Sequence, residues 1–352
     1  MGTKAYFPAE AGHTSSNFSL LSYKDISSHD SAEIPMLGTK GSGDVYSFVH
    51  CAGAALLTIE NIPDGVTSAT ITVESYNSGD ASQCVKLSGS FYIHGSATLE
   101  PYWDGAYAAT ASEKQFSRKV TVSSNTAKVY IPCAGGYNNW VPNKLTVTGH
   151  TSGGDVDLLT EKSMKKLGTV ARAHILPLTP LVLNNLTRVN WSLGGIATKT
   201  LDDWQTATVG LTELKATSDA YYMYIRVKGP ASAITSDNYL DVVLADGVGS
   251  ESVWGDYWNT TCTTKYYKEH KGPVTTTTFT MKFNDINVET DLQTSGSDIY
   301  WFVSLPRSAH SLLTSGTVYV GMGLWQGWSI VGCIPSKRTW DHTSEMMLVS
   351  LH

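Results

Sequence analysis

Apolar and polar residues alternate with a period of two along most of this chain, and the 3.6-residue period of an amphipathic helix is nearly absent. In Ala69-Thr70-Ile71-Thr72-Val73-Glu74 the apolar side chains fall on one face and the polar ones on the other. Lys119–Val122, the turn formers Ser-Ser-Asn-Thr-Ala, and Lys128–Ile131 read as a hairpin. In the second half Tyr221, Met223, Ile225 and Val227 make one strand face, and Tyr222, Tyr224, Arg226 and Lys228 make the other. Phe279, Met281 and Phe283 alternate with Thr280 and Lys282, and NYLDVVLAD, DIYWFVSLP, TVYVGMGLW and EMMLVSLH are further strand text. One short patch, EKSMKKL at 161–167, leans toward helix. Many short strands separated by Gly, Asn, Asp and Ser predict antiparallel sandwiches and not βαβ units. The expected fold class is all-β.

With 352 residues the chain exceeds one ordinary core and suits two domains. The stretch HILPLTPLVLNNLTRVNW at 174–191 follows strand text with two prolines and an Asn-Asn pair, and eight of the ten tryptophans lie after residue 185. Two antiparallel β-sandwich domains are therefore expected, at 1–185 and 186–352.

Charged residues make up only 16% of the chain, while Gly, Ser and Thr abound, a composition common in secreted β proteins. The net charge of −6 is interspersed and no basic stripe exists, which excludes nucleic acid as an expected partner. No run of about 18 apolar residues spans a bilayer. The opening Met1-Gly2-Thr3-Lys4 lacks the apolar core of a signal peptide and reads as a trimmed start. Any signal or lipid anchor, the one membrane link expected, would lie outside this sequence. Cys51, Cys84, Cys133, Cys262 and Cys333 are widely spaced with no CxxC pair. A thiolate metal site is not expected, and buried free thiols are favoured over disulfides.

Asp44–His50, then AALLTIENIPDGVTSATITVES and KLSGSFYI, resemble the N-terminal domain of fimbrillin-like proteins, the Bacteroides-type fimbrial subunits and surface adhesins. KVYIPCAGGYNNWVPNKLTVTGHTSGGDVDLLTEK resembles that family's Val-x-x-Pro, loop, Leu-Thr-Val-Thr order, so the likeness covers roughly residues 40–183. The resemblance implies a transthyretin-like sandwich that is exported to the cell surface or outer membrane, often lipid-anchored, and used in adhesion or fimbrial assembly. The family's lipobox cysteine near a mature N-terminus is absent, and no protease-processed donor strand is identifiable.

In the second half Asp203-Trp204, the YYMYIRV strand and NYLDVVLAD are similar to surface sandwiches of the carbohydrate-binding kind. Sugars present apolar C–H faces on which indole and phenol rings stack, while amides and carboxylates bond the hydroxyls. Two clusters have these ingredients in loop-like text: Trp254-Gly255-Asp256-Tyr257-Trp258-Asn259 and Trp325-Gln326-Gly327-Trp328. The candidate ligand-binding residues are Trp254, Asp256, Tyr257, Trp258, Trp325 and Trp328. Trp191, Trp204 and Trp301 read as core residues, and Trp103 and Trp140 as covers of sandwich ends.

Enzymatic signatures are missing. Asp202-Asp203, Asp256, Asp285 and Glu345 supply carboxylates with no spacing that marks an acid–base pair. No HExxH, GxSxG, P-loop or dinucleotide motif occurs, and Asp237, Asp241 and Asp246 supply at most a loose oxygen site for calcium. No catalysis, no cofactor and no metal are expected. The expected partner is an extracellular glycan or a host or bacterial surface protein. The alternatives are a fimbrial subunit that joins others by strand addition and, less favoured, a glycan-active hydrolase.

Overall fold

The computed structural model describes residues 4–7, 17–20, 23–25, 36–41, 45–50, 53–75, 87–92, 114–133, 142–164, 174–201, 210–267, 272–314 and 316–352. Their regular structure is strand, broken by single 3-10 turns such as Leu186–Arg188 and Ser311–Leu313. The chain divides into two compact units, Met1–Leu183 and Asn184–His352. Each is an all-β sandwich.

In the first unit one sheet runs Gly154–Ser163, Pro142–Thr151, Ser68–Ser75, Gln115–Thr121 and Tyr23–Asp25. The facing sheet pairs Ala127–Cys133 with Gly53–Glu60, whose other side is met in parallel by Ile175–Pro177 and Leu181–Val182. Alternation decides what lies between them: Ala69, Ile71 and Val73 of one strand meet Leu57, Ile59, Val129 and Ile131 across the core. Each fully buried aliphatic side chain of this kind contributes roughly 1.5–3 kcal/mol.

The hairpin expected at 119–131 is corrected in part. Ser124 and Asn125 do form the turn, both with positive φ (49° and 57°), a conformation Asn tolerates. Across it Ser123 bridges Thr126, but Gln115–Thr121 then pairs with Ser68–Ser75 while Ala127–Cys133 pairs with Gly53–Glu60. Val120 and Val129 both bury in the same core from opposite sheets, and strands whose apolar faces oppose one another cannot share one sheet. The helix-leaning patch is corrected over 161–163, and 165–167 lie outside the described residues. Glu161–Ser163 end the Gly154–Ser163 strand, held by backbone pairing to Pro142–Thr151 and by Lys144 against Glu161 at 3.3 Å.

The second unit has one sheet in the order Ala197–Thr200, Glu213–Ser218, Tyr222–Pro230, Asp298–Pro306 and Glu289–Ser295, all antiparallel. The other is built on Asn238–Ala245 and Thr317–Gln326, flanked by Lys265–Tyr266, Gly272–Pro273, Ser329–Ile334 and Met347–Ser350. Met223, Ile225, Val227, Trp301 and Val303 pack onto Leu240, Val242, Val320, Met322 and Leu324. Phe279, Met281 and Phe283 are buried while Thr280 and Lys282 are exposed, as their alternation predicts. Trp301 is core at 1% exposure. Trp191 covers the outer face of the first sheet, its ring 5.9 Å from Phe302 and 5.6 Å from the Arg226 guanidinium. Trp103, Trp140 and Trp204 lie outside the described residues.

Along Thr317–Gln326, Val318, Val320, Met322 and Leu324 enter the core, which turns Tyr319, Gly321, Gly323 and Trp325 outward. Asn238–Ala245 pairs alongside, placing Val243 beside Gly321 and Asp241 beside Gly323. The outer face of this sheet is therefore a shallow trough floored by glycine. The aromatic loop lies in it.

Candidate functional site

Glu251–Ser252 pairs with Thr261–Cys262 as a short ribbon, and the residues between them fold back over the trough. The loop closes on itself through Tyr257 N–H and Trp258 N–H, which both donate to the Trp254 carbonyl, at 2.7 and 3.0 Å. It is pinned from the other side by the segment after Ser329–Ile334. Trp258 Nε1 donates to the Pro335 carbonyl at 2.9 Å, and Arg338 N–H donates to the Tyr257 carbonyl at 2.8 Å. Arg338 Nη1 donates to Asn259 Oδ1 at 2.8 Å, and Met346 N–H to Thr260 Oγ1 at 2.8 Å. Bonds from both sides hold the loop as a fixed layer.

The two glycines explain where the indoles lie. A Cβ on Gly321 would sit 2.7 Å from the Trp258 ring, and one on Gly323 would sit 3.1 Å from the Trp254 ring. Trp258 is 0% exposed and packs with Val243, Val253, Cys262, Cys333 and Met346. Trp254 stacks on it with ring centroids 5.2 Å apart and planes within 8°. Trp325 meets Trp254 edge-on at 5.8 Å, and Tyr257 meets it at 5.6 Å. Gly327, at φ 55°, makes the turn between Gln326 and Ser329 and puts Trp328 beside it, 92% exposed.

These groups enclose an open cleft of about 540 Å³, lined by Trp254, Tyr257, Trp325, Trp328, Asp256 and Ile330. That volume lies within the range of small-molecule sites. The two loop clusters, some seventy residues apart in sequence, thus meet at one place. Asp256 stands exposed as the single charged lining residue among the described ones. Burial raises the Tyr257 hydroxyl's pKa, with Cys333 and Asp256 adding to the effect, so the phenol stays protonated and able to donate. The cleft offers flat apolar faces, one carboxylate and a phenol. Flat rings of this kind stack on the apolar faces of other rings, and a carboxylate and a phenol bond to hydroxyls.

Five of the six sequence candidates line the cleft: Trp254, Asp256, Tyr257, Trp325 and Trp328. Trp258 is the correction. Fully buried beneath Trp254, it supports the platform and cannot present a face to a ligand. Sequence reasoning missed Val253, Ser329 and Ile330 in the lining, Tyr267 at 6.2 Å from Trp254, and Lys337, whose ammonium lies 4.7 Å from the Tyr257 centroid. It also passed over Trp340, which is 97% exposed at a turn closed by the Thr339 N–H to His342 carbonyl bond. A Gly-x-Gly on a strand's outer face followed by Trp was the available signal for the seat; nothing linear marks Lys337.

Of the other groups weighed in the sequence, Asp246 accepts from the N–H groups of Val248, Thr263 and Thr264 and caps a loop. Burial acts to raise its pKa, but those bonds outweigh it and hold the carboxyl below its usual range. Among the described residues no three His, Cys, Asp or Glu gather where a metal ion would sit, Asp237, Asp241 and Asp246 included. Cys262 and Cys333 are buried free thiols; Cys51, Cys84 and the Cys133 side chain lie outside the described residues.

No protein-family model matches the chain, and no curated protein does. Among solved structures it is similar to a candidate cell adhesion protein from Bacteroides ovatus at 12% identity and TM-score 0.28, covering 51% of this chain and 61% of that one. A DUF3823 family protein from Bacteroides ovatus is matched at 11% identity and TM-score 0.20, over 85% of this chain and 100% of that one. A backbone pilin of Streptococcus pyogenes is matched at 11% identity and TM-score 0.18, over 86% of this chain and 65% of that one. These are distant likenesses among β-rich proteins.

Proposed function

We propose that this chain is a non-catalytic bacterial cell-surface protein whose second unit binds an extracellular glycan in the aromatic cleft. The observation that carries the reading is the convergence of Trp254, Tyr257, Trp325 and Trp328 on one open cavity of about 540 Å³ with Asp256 at its rim. Stacking rings confer affinity for sugar faces, and the carboxylate accepts hydroxyl bonds that fix orientation. Its layer of loop hydrogen bonds preorganises the site, which lowers the ordering cost of binding. The fimbrillin-like resemblance of residues 40–183 accords with an exported adhesin.

A glycan-array screen of the purified chain, followed by titration of the best hit, tests this. Wild type binds a defined set of glycans, and Trp328→Ala loses them while keeping the wild-type melting temperature. A well-folded wild type that binds no glycan sinks the reading and points to a protein ligand.

A second reading, assembly with other copies by strand addition, is favoured by one feature of the first unit. Gly154–Ser163 is ten residues long, exposed along most of its length, and terminal in its sheet among the described strands. Concentration-dependent filaments in electron micrographs would support it, and a strictly monomeric chain at high concentration would remove it.

A further inference from the structure

A second hollow of about 200 Å³ adjoins the aromatic cleft, and Tyr257 and Ile330 line both. Among the described residues its other walls include Leu201, Leu211, Val331 and Cys333, and Lys337 is the single charged one there. Cys333 adds no charge, because burial pushes its thiol up to about 12. The Lys337 ammonium is seated over the Tyr257 ring, 4.7 Å from its centroid, at the boundary between the hollows. Arg338, the next residue, ties this segment to the loop through the Tyr257 carbonyl and Asn259. The cation is thus held beside the cleft by the same contacts that hold the platform.

The two hollows differ in charge and in size. Among the described residues the cleft carries one carboxylate, Asp256, and the smaller hollow one ammonium, Lys337, with Tyr257 lining both. At about 200 Å³ the second hollow falls below the usual range for an independent ligand and suits one substituent of a ligand already held next door. An anionic group there would make a charge-assisted bond to Lys337, roughly twice as strong as a neutral one.

We propose that the two hollows are adjacent subsites for one acidic glycan chain. A sugar ring stacks among Trp254, Trp325 and Trp328, and a carboxylate or sulfate carried by it or by the next unit reaches Lys337 past Tyr257. This rests on the glycan reading of the cleft and adds the ligand's charge and direction.

The test titrates the full chain with three oligosaccharides of one backbone and length: neutral, carboxylated and sulfated. The carboxylated or the sulfated probe binds wild type about tenfold tighter than the neutral one, and added salt narrows the gap. Lys337→Gln brings that probe down to the affinity of the neutral one; Lys337→Arg retains part of the preference. Which acidic probe gains tells carboxylate from sulfate recognition. Equal binding of all three by wild type, or a preference that survives Lys337→Gln, overturns the second subsite while leaving the cleft as a glycan site. Binding of none by a folded wild type overturns the glycan reading and this inference with it. Lys337 is exposed, so its variants are expected to melt with wild type.

Discussion

The two sandwiches use the same alternation to different ends. In the first unit Ser68–Ser75 alternates between buried and less buried positions, because one face meets the core and the other carries Thr70, Thr72 and Glu74. In the second unit Asn238–Ala245 is buried at every position but Tyr239. Its inner face meets the main core through Leu240, Val242 and Leu244, and its outer face meets the aromatic loop through Val243 and Ala245. The difference lies in what covers the outer face. Hydroxyls shed water poorly and leave a sheet solvated, whereas glycines at 321 and 323 open room for indoles to lie flat on the backbone. A two-layer fold gains a third layer there, and the third layer carries the aromatic cleft.

The comparison breaks most sharply at Trp258. Trp258→Ala removes a ring that is 0% exposed and strands the Pro335 carbonyl it bonds, so about 3–5 kcal/mol of unfolding free energy should go, read from denaturant melts. A wild-type midpoint for this variant would mean the loop is no part of the second unit's core. Next comes Gly321→Ala, whose new Cβ meets the immobile Trp258 ring at 2.7 Å; overpacking of this kind costs about 1–3 kcal/mol. Gly316→Ala, where a Cβ meets nothing within 4 Å, serves as its control and should shift the melt little.

A pH series sharpens the same contrast. Burial raises the Cys333 thiol from its ordinary 9.0 to about 12. Below pH 9 the thiol is protonated in both folded and unfolded chains, so it has no effect on stability. Between about 9 and 12 the unfolded thiol ionises while the folded one does not, so stability falls as pH rises. Thermal melts across this range should slope downward less steeply in Cys333→Ala, and equal slopes would show the thiol is not buried in the third layer. The smallest effect on stability belongs to Trp328→Ala. At 92% exposure it should stay within about 0.5 kcal/mol of wild type while removing glycan affinity, so a large destabilisation would make the ring structural.

Much of this is legible in the sequence. Period-two runs mark Ser68–Ser75, Tyr222–Pro230 and the Phe279–Phe283 stretch because side chains leave a strand on alternate sides, and one side must be apolar to be buried. The turn at Ser124-Asn125 was legible from its residue types, but its partners were not: alternation says which face is wet, not which neighbouring strand supplies the hydrogen bonds. The same limit explains the aromatic loop. WGDYWN reads as one cluster of equals, yet Trp254 ends on the cleft wall and Trp258 four residues on lies beneath it, because the loop doubles back on the Trp254 carbonyl.

Local chemistry along the chain thus determined the strand content, the all-β class and the residue types able to meet a sugar, since those depend on each residue and its near neighbours. Tertiary structure alone decided which indole became platform and which became foundation, and it alone brought Trp328 to Trp254 and Lys337 to Tyr257. The reason is physical: burial and juxtaposition depend on what a distant segment places against a side chain, and no spacing in the sequence encodes that distance.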